Sequence, residues 1–384
     1  MKKLFYSGLA GLVVFEILKV YFIMPMPGSQ RMNSLAVAYF LHSHRWGIRI
    51  ACALAILAGI KAAFQVRRKW LPAIPVLFAA AVAWVFDFEL TADHIFQQPR
   101  HLVLKPRAEN KIPLSSVVVA VENNGEAKAY PIRYLIYHHQ VQDTVGGKPF
   151  IVTYCSVCRT GRVFEPVVNG RPESFRLVGM DHFNAMFEDA TTGSWWRQAT
   201  GEAVAGPLKG ANLPDAAYRQ LTLRQWFALH PAGLVMQPDQ AALDEDDYDV
   251  FGRYERGKSR GDLTRTDRLS WQEKSWVVGV QVGAVSKAYD WNRLKDRRIV
   301  NDTIGGKPIV LALAVDGQGY VAFERPAGAG DFTLQDDLLS AGGKSYDFSG
   351  RNVAMPAQRL QGVNAHQEFW HSWRTFHPDT LKYP

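Results

Sequence analysis

The stretch Val118–Pro149, VVAVENNGEAKAYPIRYLIYHHQVQDTVGGKP, returns later in the chain as Val277–Pro308, VVGVQVGAVSKAYDWNRLKDRRIVNDTIGGKP. The two segments align without a gap at an offset of 159 residues, and Lys-Ala-Tyr, Asp-Thr and Gly-Gly-Lys-Pro coincide. Similarity at a fixed spacing is the signature of a repeated structural unit. We therefore predict a duplicated β-rich module, with a first copy in residues 92–250, a linker at 251–261 and a second copy in residues 262–384.

Short apolar runs within both copies are rich in β-branched residues, and a Gly-Gly pair precedes the second run of each copy. Such runs between turn signals are typical of β-strands, whereas apolar residues at helical spacing are less frequent here. The predicted strands are Ser116–Val121, Phe150–Tyr154, Val277–Val282 and Ile309–Leu313, and the predicted helices are Pro131–His139, Leu223–Leu229 and Glu368–Phe376. The expected fold class is α+β, mainly β.

The N-terminal quarter, residues 1–91, is predicted to be a transmembrane anchor. Its apolar runs have the length and hydropathy of three membrane spans, at residues 4–24, 48–64 and 71–88. A secretory signal peptide is the alternative for the first run, but no small-x-small cleavage site follows it. Glu16 and Lys19 lie three positions apart in this run, which places them side by side on a helix, as an ion pair or as part of the bundle packing. The expected architecture is a duplicated β-rich module behind a three-helix anchor.

Charge is distributed unevenly along the chain. Residues 1–90 hold ten of the chain's 44 Lys and Arg side chains but only three of its 36 Asp and Glu side chains. Residues 91–384 therefore hold 34 basic and 33 acidic side chains. The remainder is nearly neutral, which argues against a nucleic-acid partner. Lys2 and Lys3, together with the cluster Arg67, Arg68 and Lys69, favour a cytoplasmic location for these two segments. Everything after about residue 90 is then expected outside the cytoplasm.

Two of the three cysteines, Cys155 and Cys158, belong to the first copy only, because the offset places Ala314 and Gly317 opposite them. Two thiols three positions apart can bind one metal ion or form a disulfide. A structural disulfide is the alternative, but a four-residue ring contributes only about 2 kcal/mol in the chain-entropy model, against about 3 kcal/mol for fifteen residues. A reactive or metal-ligating role is therefore favoured.

His138 precedes Cys155 by seventeen residues, and Arg297 occupies the corresponding position in the second copy. Sulfur and imidazole ligands together suit Cu(I) or zinc, and copper is the cofactor expected first. The first hypothesis is therefore a metal-binding or thiol-redox site, with Cys155 and Cys158 as ligands or exchanging thiols and His138 as a third ligand or a base. A hydrolase with Cys155 as nucleophile and His138 as base is one alternative. Another is a non-catalytic subunit that docks on a larger membrane complex.

The surroundings of the cysteine pair resemble the motifs of the bacterial family DUF3179. These motifs are His138, the run VQDTVGGKP at 141–149, the run YCSVC at 154–158 and the run DATTGSWWRQATGEAVAG at 189–206. Ser-Val stands between the cysteines where Pro-Leu is usual, and His-Gln follows His138 where Glu-Ile is usual. The resemblance implies a membrane-attached or exported bacterial protein with a duplicated β-rich fold, here in the inner membrane with its soluble region in the periplasm. It implies no particular reaction. The motif positions form one candidate metal- and cofactor-binding site: His138, Tyr154, Cys155, Cys158, Asn184, Asp189, Ser194, Trp196 and Gln198.

Overall fold

The computed structural model describes residues 1–244, 248 and 269–384, so the predicted linker at 251–261 lies outside the described residues. The fold is α+β, with strands in several sheets, as the sequence predicts. The chain forms two compact units. The first contains residues 1–97, 175–197 and 202–211, and the second contains residues 98–174, 198–201 and 212–384.

The helices begin and end at residues that suit their termini. The helix Leu223–Leu229 begins at a capping box of Thr222 and Gln225. The helices Ile132–His138 and Trp291–Arg297 end at His139 and Arg298, which both have left-handed backbones. The α-helices are α1 Lys2–Tyr21, α2 Leu35–Ser43, α3 Arg45–Phe64, α4 Ala73–Trp84, α5 Ala92–Ile95, α6 Ile132–His138, α7 Leu223–Leu229, α8 Gln240–Asp244, α9 Trp291–Arg297 and α10 Trp370–Phe376.

The strands confirm the predicted runs to within a few residues at each end. They are β1 Leu104–Pro106, β2 Val117–Asn123, β3 Glu126–Pro131, β4 Gln140–Val145, β5 Lys148–Cys155, β6 Thr160–Phe164, β7 Val167–Val168, β8 Arg171–Pro172, β9 Phe175–Asp181, β10 Asn184–Asp189, β11 Trp195–Arg197, β12 Ala203–Ala205, β13 Arg219–Thr222, β14 Leu234–Met236, β15 Trp276–Val282, β16 Val285–Asp290, β17 Ile299–Ile304, β18 Lys307–Leu313, β19 Tyr320–Glu324, β20 Thr333–Gln335, β21 Leu338–Ala341, β22 Lys344–Tyr346, β23 Ala365–Phe369 and β24 Leu381–Lys382.

In the first unit, α1 packs against α3 and α4. Two glycines permit this approach, because a Cβ at Gly8 would lie 2.9 Å from the Cys52 carbonyl oxygen and a Cβ at Gly59 would lie 2.5 Å from that of Met1. Within the described residues, α1 and α3 are the helices long and apolar enough to cross a membrane. The predicted third span forms α4 and a π-helix, Val85–Glu89, and its membrane crossing stays a prediction.

A cluster of four charged side chains lies within this helical bundle. Arg49 donates to both carboxylate oxygens of Glu16 at 2.7 and 3.0 Å, and the Lys19 ammonium lies 2.9 Å from Glu16. Both cations also contact Asp87, in the π-helix. The cluster holds two positive and two negative groups, so each buried charge has partners of the opposite sign. The predicted contact between Glu16 and Lys19 is confirmed.

The first unit also contains a four-stranded sheet in the order β12-β11-β10-β9. The Met180 backbone amide donates to the Ile23 carbonyl at 2.7 Å, and the His42 imidazole lies 2.8 Å from the Glu188 carboxylate. The sheet is therefore attached to the segment that follows α1 and to α2.

The second unit is built on an eight-stranded sheet in the order β1-β14-β3-β2-β13-β19-β18-β17. Two further sheets, β4-β5-β6 and β23-β15-β16-β24, complete the elements around the cysteine pair. Tyr130 donates to Asp143 at 2.7 Å and Tyr289 donates to Asp302 at 2.8 Å, so both tyrosines have a structural partner. The duplication itself stays a prediction.

Candidate functional site

Cys155 and Cys158 occupy the turn of the hairpin formed by β5 and β6. Cys155 pairs with Thr160, and residues 156–159 connect the strands, with Arg159 in a left-handed conformation. The Phe369 backbone amide on β23 donates to the Cys158 carbonyl at 2.9 Å, which attaches the turn to a strand far away in sequence. Both cysteine side chains are fully buried.

The two cysteines are thiols in the structure and share a hydrogen bond. Cys158 also contacts the Ser372 hydroxyl on α10. Burial raises the pKa of the Cys158 thiol well above its usual value, and the neighbouring Cys155 and Glu368 raise it further. Cys158 is therefore a neutral thiol at pH 7, and a base is needed to activate it.

Glu368, at the end of β23, is the carboxylate of this site. It is fully buried; Ser372 donates to its Oε1, and Arg162 Nη2 donates to its Oε2 at 2.8 Å. Burial raises the pKa of Glu368 and outweighs the opposite effect of Arg162. The contacts form a continuous path from Cys158 through Ser372 to a carboxylate whose pKa favours proton uptake.

Arg162 on β6 is itself fixed by the hairpin and by a neighbouring segment. Its Nε donates to the Ala199 carbonyl at 3.0 Å, and its Nη1 donates to Thr160 Oγ1 at 2.9 Å. Gln198 Nε2 donates to Thr153 Oγ1 and to the Thr160 carbonyl, both at 3.1 Å. Gln198 therefore supports both strands of the hairpin.

Four of the nine predicted site residues lie in the cysteine hairpin or against it: Tyr154, Cys155, Cys158 and Gln198. The Tyr154 amide also donates to the carbonyl of His139, the residue after His138, at 3.0 Å. Tyr154 is buried on β5 opposite Gly161. His138 lies at the end of α6, and its Nε2 is 2.6 Å from the Tyr248 hydroxyl. That hydroxyl accepts a hydrogen bond from the Asp239 backbone amide at 3.0 Å. The contact seen for His138 is therefore with a tyrosine hydroxyl.

A metal site of the predicted kind needs a third ligand beside the two sulfurs. In the part of the chain that the structure describes, no group of three or more His, Cys, Asp or Glu side chains is placed to hold a metal ion. Copper binding stays a prediction.

The remaining predicted residues, Asn184, Asp189, Ser194 and Trp196, belong to the first unit. Asn184 is buried at the start of β10. Asp189 Oδ2 accepts hydrogen bonds from Trp196 Nε1 at 2.8 Å, Thr192 Oγ1 at 2.8 Å and the Ser194 amide at 3.1 Å. These contacts fix the turn between β10 and β11, so the Asp-x-x-Thr-x-Ser-x-Trp segment satisfies its own polar groups.

The sequence analysis missed Arg162, Glu368 and Ser372. The signal that identifies them is the same asymmetry that singled out the cysteines. At the offset of 159, Val321 corresponds to Arg162. A second, looser similarity joins WFALHP at 226–231 and WRTFHP at 373–378, at an offset of 147. Extended backwards, it places Leu221 opposite Glu368 and Gln225 opposite Ser372. Arg162 and the cysteines therefore belong to the predicted first copy, whereas Glu368 and Ser372 belong to the predicted second copy, and each differs from the residue at its counterpart position.

Fold and site together define an α+β protein with apolar N-terminal helices and a buried pair of thiols beside an Arg–Glu ion pair. Residues 101–380 match the family described as "Protein of unknown function (DUF3179)". The match spans well over half of the chain, so the protein belongs to the DUF3179 family, as its motifs predict. No curated protein and no solved structure matches it.

Proposed function

We propose that this is a membrane-anchored, extracytoplasmic thiol-redox protein in which Cys155 and Cys158 alternate between a dithiol and a disulfide. The observation that carries the proposal is the hydrogen bond between the two thiols next to the Ser372–Glu368 path. Two sulfurs in contact need little movement to form an S–S bond. The neighbouring carboxylate provides an acceptor for a proton that oxidation releases.

The reaction is thiol–disulfide exchange with a small-molecule or protein disulfide as oxidant. One cysteine loses its proton and attacks a sulfur of the oxidant; a mixed disulfide forms, and one thiolate leaves and takes up a proton. The second cysteine then attacks the mixed disulfide, forms the Cys155–Cys158 bond and releases the other thiol. The protein loses two electrons and two protons, and the disulfide is reduced to two thiols.

Glu368 is the base in this scheme, and Ser372 relays the proton. The Cys158 thiol contacts the Ser372 hydroxyl, and that hydroxyl donates to the Glu368 carboxylate. Arg162 favours the ionised form of that carboxylate and opposes the effect of burial on its pKa, since it donates to the opposite oxygen at 2.8 Å. Because both sulfurs are buried, the turn at residues 156–159 must open before an oxidant reaches them.

The membrane part of the proposal is supported by the surface of α1 and α3. Large apolar side chains on these helices are exposed, among them Val14 and Ile17 on α1 and Ile50, Leu54 and Leu57 on α3. A continuous apolar surface of this kind favours contact with lipid. The basic residues at 2–3 and 67–69 favour the cytoplasm, so the proposal also needs α4 as a third crossing to bring the second unit into the periplasm.

Copper binding by the same two sulfurs is the second candidate, because adjacent thiols are the ligands that Cu(I) prefers. Each thiol must lose its proton before it binds copper. Burial and the nearby Glu368 carboxylate both oppose that loss at Cys158. Bound Cu(I) needs both sulfurs as thiolates at once, whereas disulfide exchange ionises one thiol at a time. Redox exchange therefore ranks above copper binding.

The test uses the full chain in detergent with Cys52→Ser, so that two cysteines remain. The reduced protein is incubated with glutathione disulfide, alkylated after denaturation and weighed by mass spectrometry. We expect both thiols to disappear together with the loss of two hydrogen masses. Cys155→Ala and Cys158→Ala, tested separately, should each retain one glutathione adduct, since no second thiol resolves it.

Two other results would favour the competing functions. Tight retention of one Cu(I) per chain against a chromophoric chelator, lost in either cysteine variant, would favour copper binding. Thiols that stay reduced at every disulfide concentration and bind no copper would favour a non-catalytic subunit that docks on a partner.

A further inference from the structure

A cavity of about 460 Å³ lies at one end of the helical bundle in the first unit. Residues from the end of α1, the start of α3 and the π-helix line it, together with residues of β9 and β10. These helix ends meet because α1 and α3 are antiparallel, as the contacts of Arg49 with Glu16 and of Gly59 with Met1 show. The volume is in the range that small-molecule sites occupy.

Exposed aromatic side chains lie at the same end of the bundle as the cavity. Trp46 is the second residue of α3, Trp84 ends α4 and Phe88 lies in the π-helix, and all three are more than half exposed. Trp70, which is 57% exposed, lies at the opposite end, next to the basic cluster at 67–69. Aromatic side chains at both ends of an apolar bundle are typical of the two membrane–water interfaces. The cavity is therefore expected at the level of the lipid head groups.

One cation in the wall of this cavity, Arg45, has no carboxylate partner among the described residues. Its Nη1 donates to the His42 carbonyl at 2.7 Å, and a neutral carbonyl leaves the positive charge uncompensated. The other Lys and Arg side chains of the wall are Lys19 and Arg176, and each of them contacts two carboxylates. Every carboxylate that lines the cavity is held in one of those contacts. Arg45, which is partly exposed, is therefore the excess positive charge of the cavity.

The cavity also has an apolar side and a hydroxyl. Phe86 and Leu90 line it and are partly exposed. Thr91 lines it as well, and its side chain makes no capping hydrogen bond to α5. A phospholipid has a matching arrangement, because an anionic phosphate lies beside apolar acyl chains, and basic pockets between membrane helices bind such head groups. A soluble anion would leave the apolar side in contact with water.

We propose that this cavity binds the head group of an anionic phospholipid, with the phosphate on Arg45 and the acyl chains along the exposed apolar surface of the helices. One excess cation matches one phosphodiester. A head group with an additional positive charge is less well matched, because the carboxylates of the wall already hold Lys19 and Arg176. The inference rests on the membrane part of the proposed function and is independent of the thiols, since no cysteine lines the cavity.

The matched probes are phosphatidylglycerol and phosphatidylcholine with the same acyl chains. The full chain is delipidated in detergent, mixed with either lipid and examined by native mass spectrometry, which counts the lipids retained. We expect one phosphatidylglycerol to bind about fivefold more tightly than phosphatidylcholine, the factor that one interfacial cation contributes. Arg45→Gln should remove this preference and weaken phosphatidylglycerol about tenfold, the contribution of a charge-assisted hydrogen bond.

Arg31→Gln is the matched control, since Arg31 is an exposed arginine of the segment between α1 and α2 and does not line the cavity. It removes the same charge and should leave both affinities unchanged. Equal effects of Arg45→Gln and Arg31→Gln would overturn the proposal. Equal retention of the two lipids by the parent chain would also overturn it, and that comparison needs no variant to fold.

A soluble phosphate ester as the true ligand is tested with glycerol phosphate, which has the phosphate and lacks the acyl chains. At millimolar concentration it should not displace phosphatidylglycerol from the parent chain, and displacement would overturn the lipid proposal. Cys155→Ala should retain phosphatidylglycerol as the parent chain does. Failure of the redox function and failure of lipid binding are therefore separate results.

Discussion

Replacing Arg162 with methionine is expected to destabilise the second unit strongly, because it leaves the fully buried Glu368 carboxylate without its cation. Removal of one partner from a buried ion pair costs about 3–5 kcal/mol. Loss of the hydrogen bonds to the Ala199 carbonyl and Thr160 Oγ1 adds to this cost. For a unit of this size, 3 kcal/mol corresponds to a decrease in Tm of about 6–12 °C.

A double-mutant cycle separates the ion pair from the other contacts of Arg162. Glu368→Gln keeps the shape of the side chain and removes its charge. Combined with Arg162→Met, it should recover part of the loss, with a coupling energy of about 1–3 kcal/mol. The surface pair Arg374–Glu273, with charged atoms 3.6 Å apart, provides the control, and Arg374→Met should change stability by less than about 1 kcal/mol.

The assay is thermal unfolding of the full chain in detergent, followed by tryptophan fluorescence at pH 7.5. Additive effects of Arg162→Met and Glu368→Gln would refute the reasoning, because they would mean that the two charges do not interact. A Tm for Arg162→Met within about 2 °C of the parent protein would refute it equally.

Three further predictions concern other parts of the chain. Gly59→Ala should separate α1 from α3 and lower the Tm, because the new Cβ would collide with the Met1 carbonyl oxygen. Gly47 on the same helix has open space around it, so Gly47→Ala should not lower the Tm, and equal effects of the two substitutions would contradict the packing. Asp189→Ala should cost about 2–4 kcal/mol in thermal unfolding, since the buried Trp196 indole loses its acceptor; a change below about 1 kcal/mol would contradict this. Burial lowers the pKa of His139 to about 4, so between pH 7 and pH 5 the unfolded state takes up a proton that the folded state refuses. His139 should therefore contribute a fall in stability of about 1–2 kcal/mol over this range, beside the contributions of His371 and His377, whose pKa values are also lowered to about 4. His139→Asn, which tolerates the left-handed backbone, should remove that share, and parallel pH profiles would contradict it.

The local pattern of apolar and β-branched residues was enough to predict the strands and helices named in the sequence analysis. The β-branched runs that end near Val121 and Val282 are strands in the structure, where backbone preference agrees with burial of four consecutive residues. The third apolar run shows the limit of this approach. Asp87 lies in its π-helix and contacts Lys19 and Arg49 on two other helices. Such interhelical contacts leave no trace in the hydropathy of the run itself.

The candidate site was predictable only in part. Cys155 and Cys158 are only three positions apart, and an alignment of the two predicted copies shows that the second copy lacks them. Glu368 is 206 positions from Arg162, and the pair forms because β23 and α10 pack against the cysteine turn. No local pattern encodes that packing. His138 was linked to the cysteines by residue type and spacing; the structure shows its Nε2 beside the Tyr248 hydroxyl, and its role as a ligand or base stays a prediction.

The midpoint potential of the Cys155–Cys158 couple as a function of pH tests the redox proposal most directly. The Cys52→Ser chain is equilibrated in dithiothreitol redox buffers, quenched with acid, alkylated and weighed. Because burial holds the pKa of Cys158 well above its usual value, the account predicts a single two-electron couple. Its midpoint should fall by about 59 mV per pH unit from pH 7 to pH 9, with two protons released per two electrons. A pair that stays reduced at every potential, or a slope that drops to about 30 mV per unit near pH 7, would contradict it.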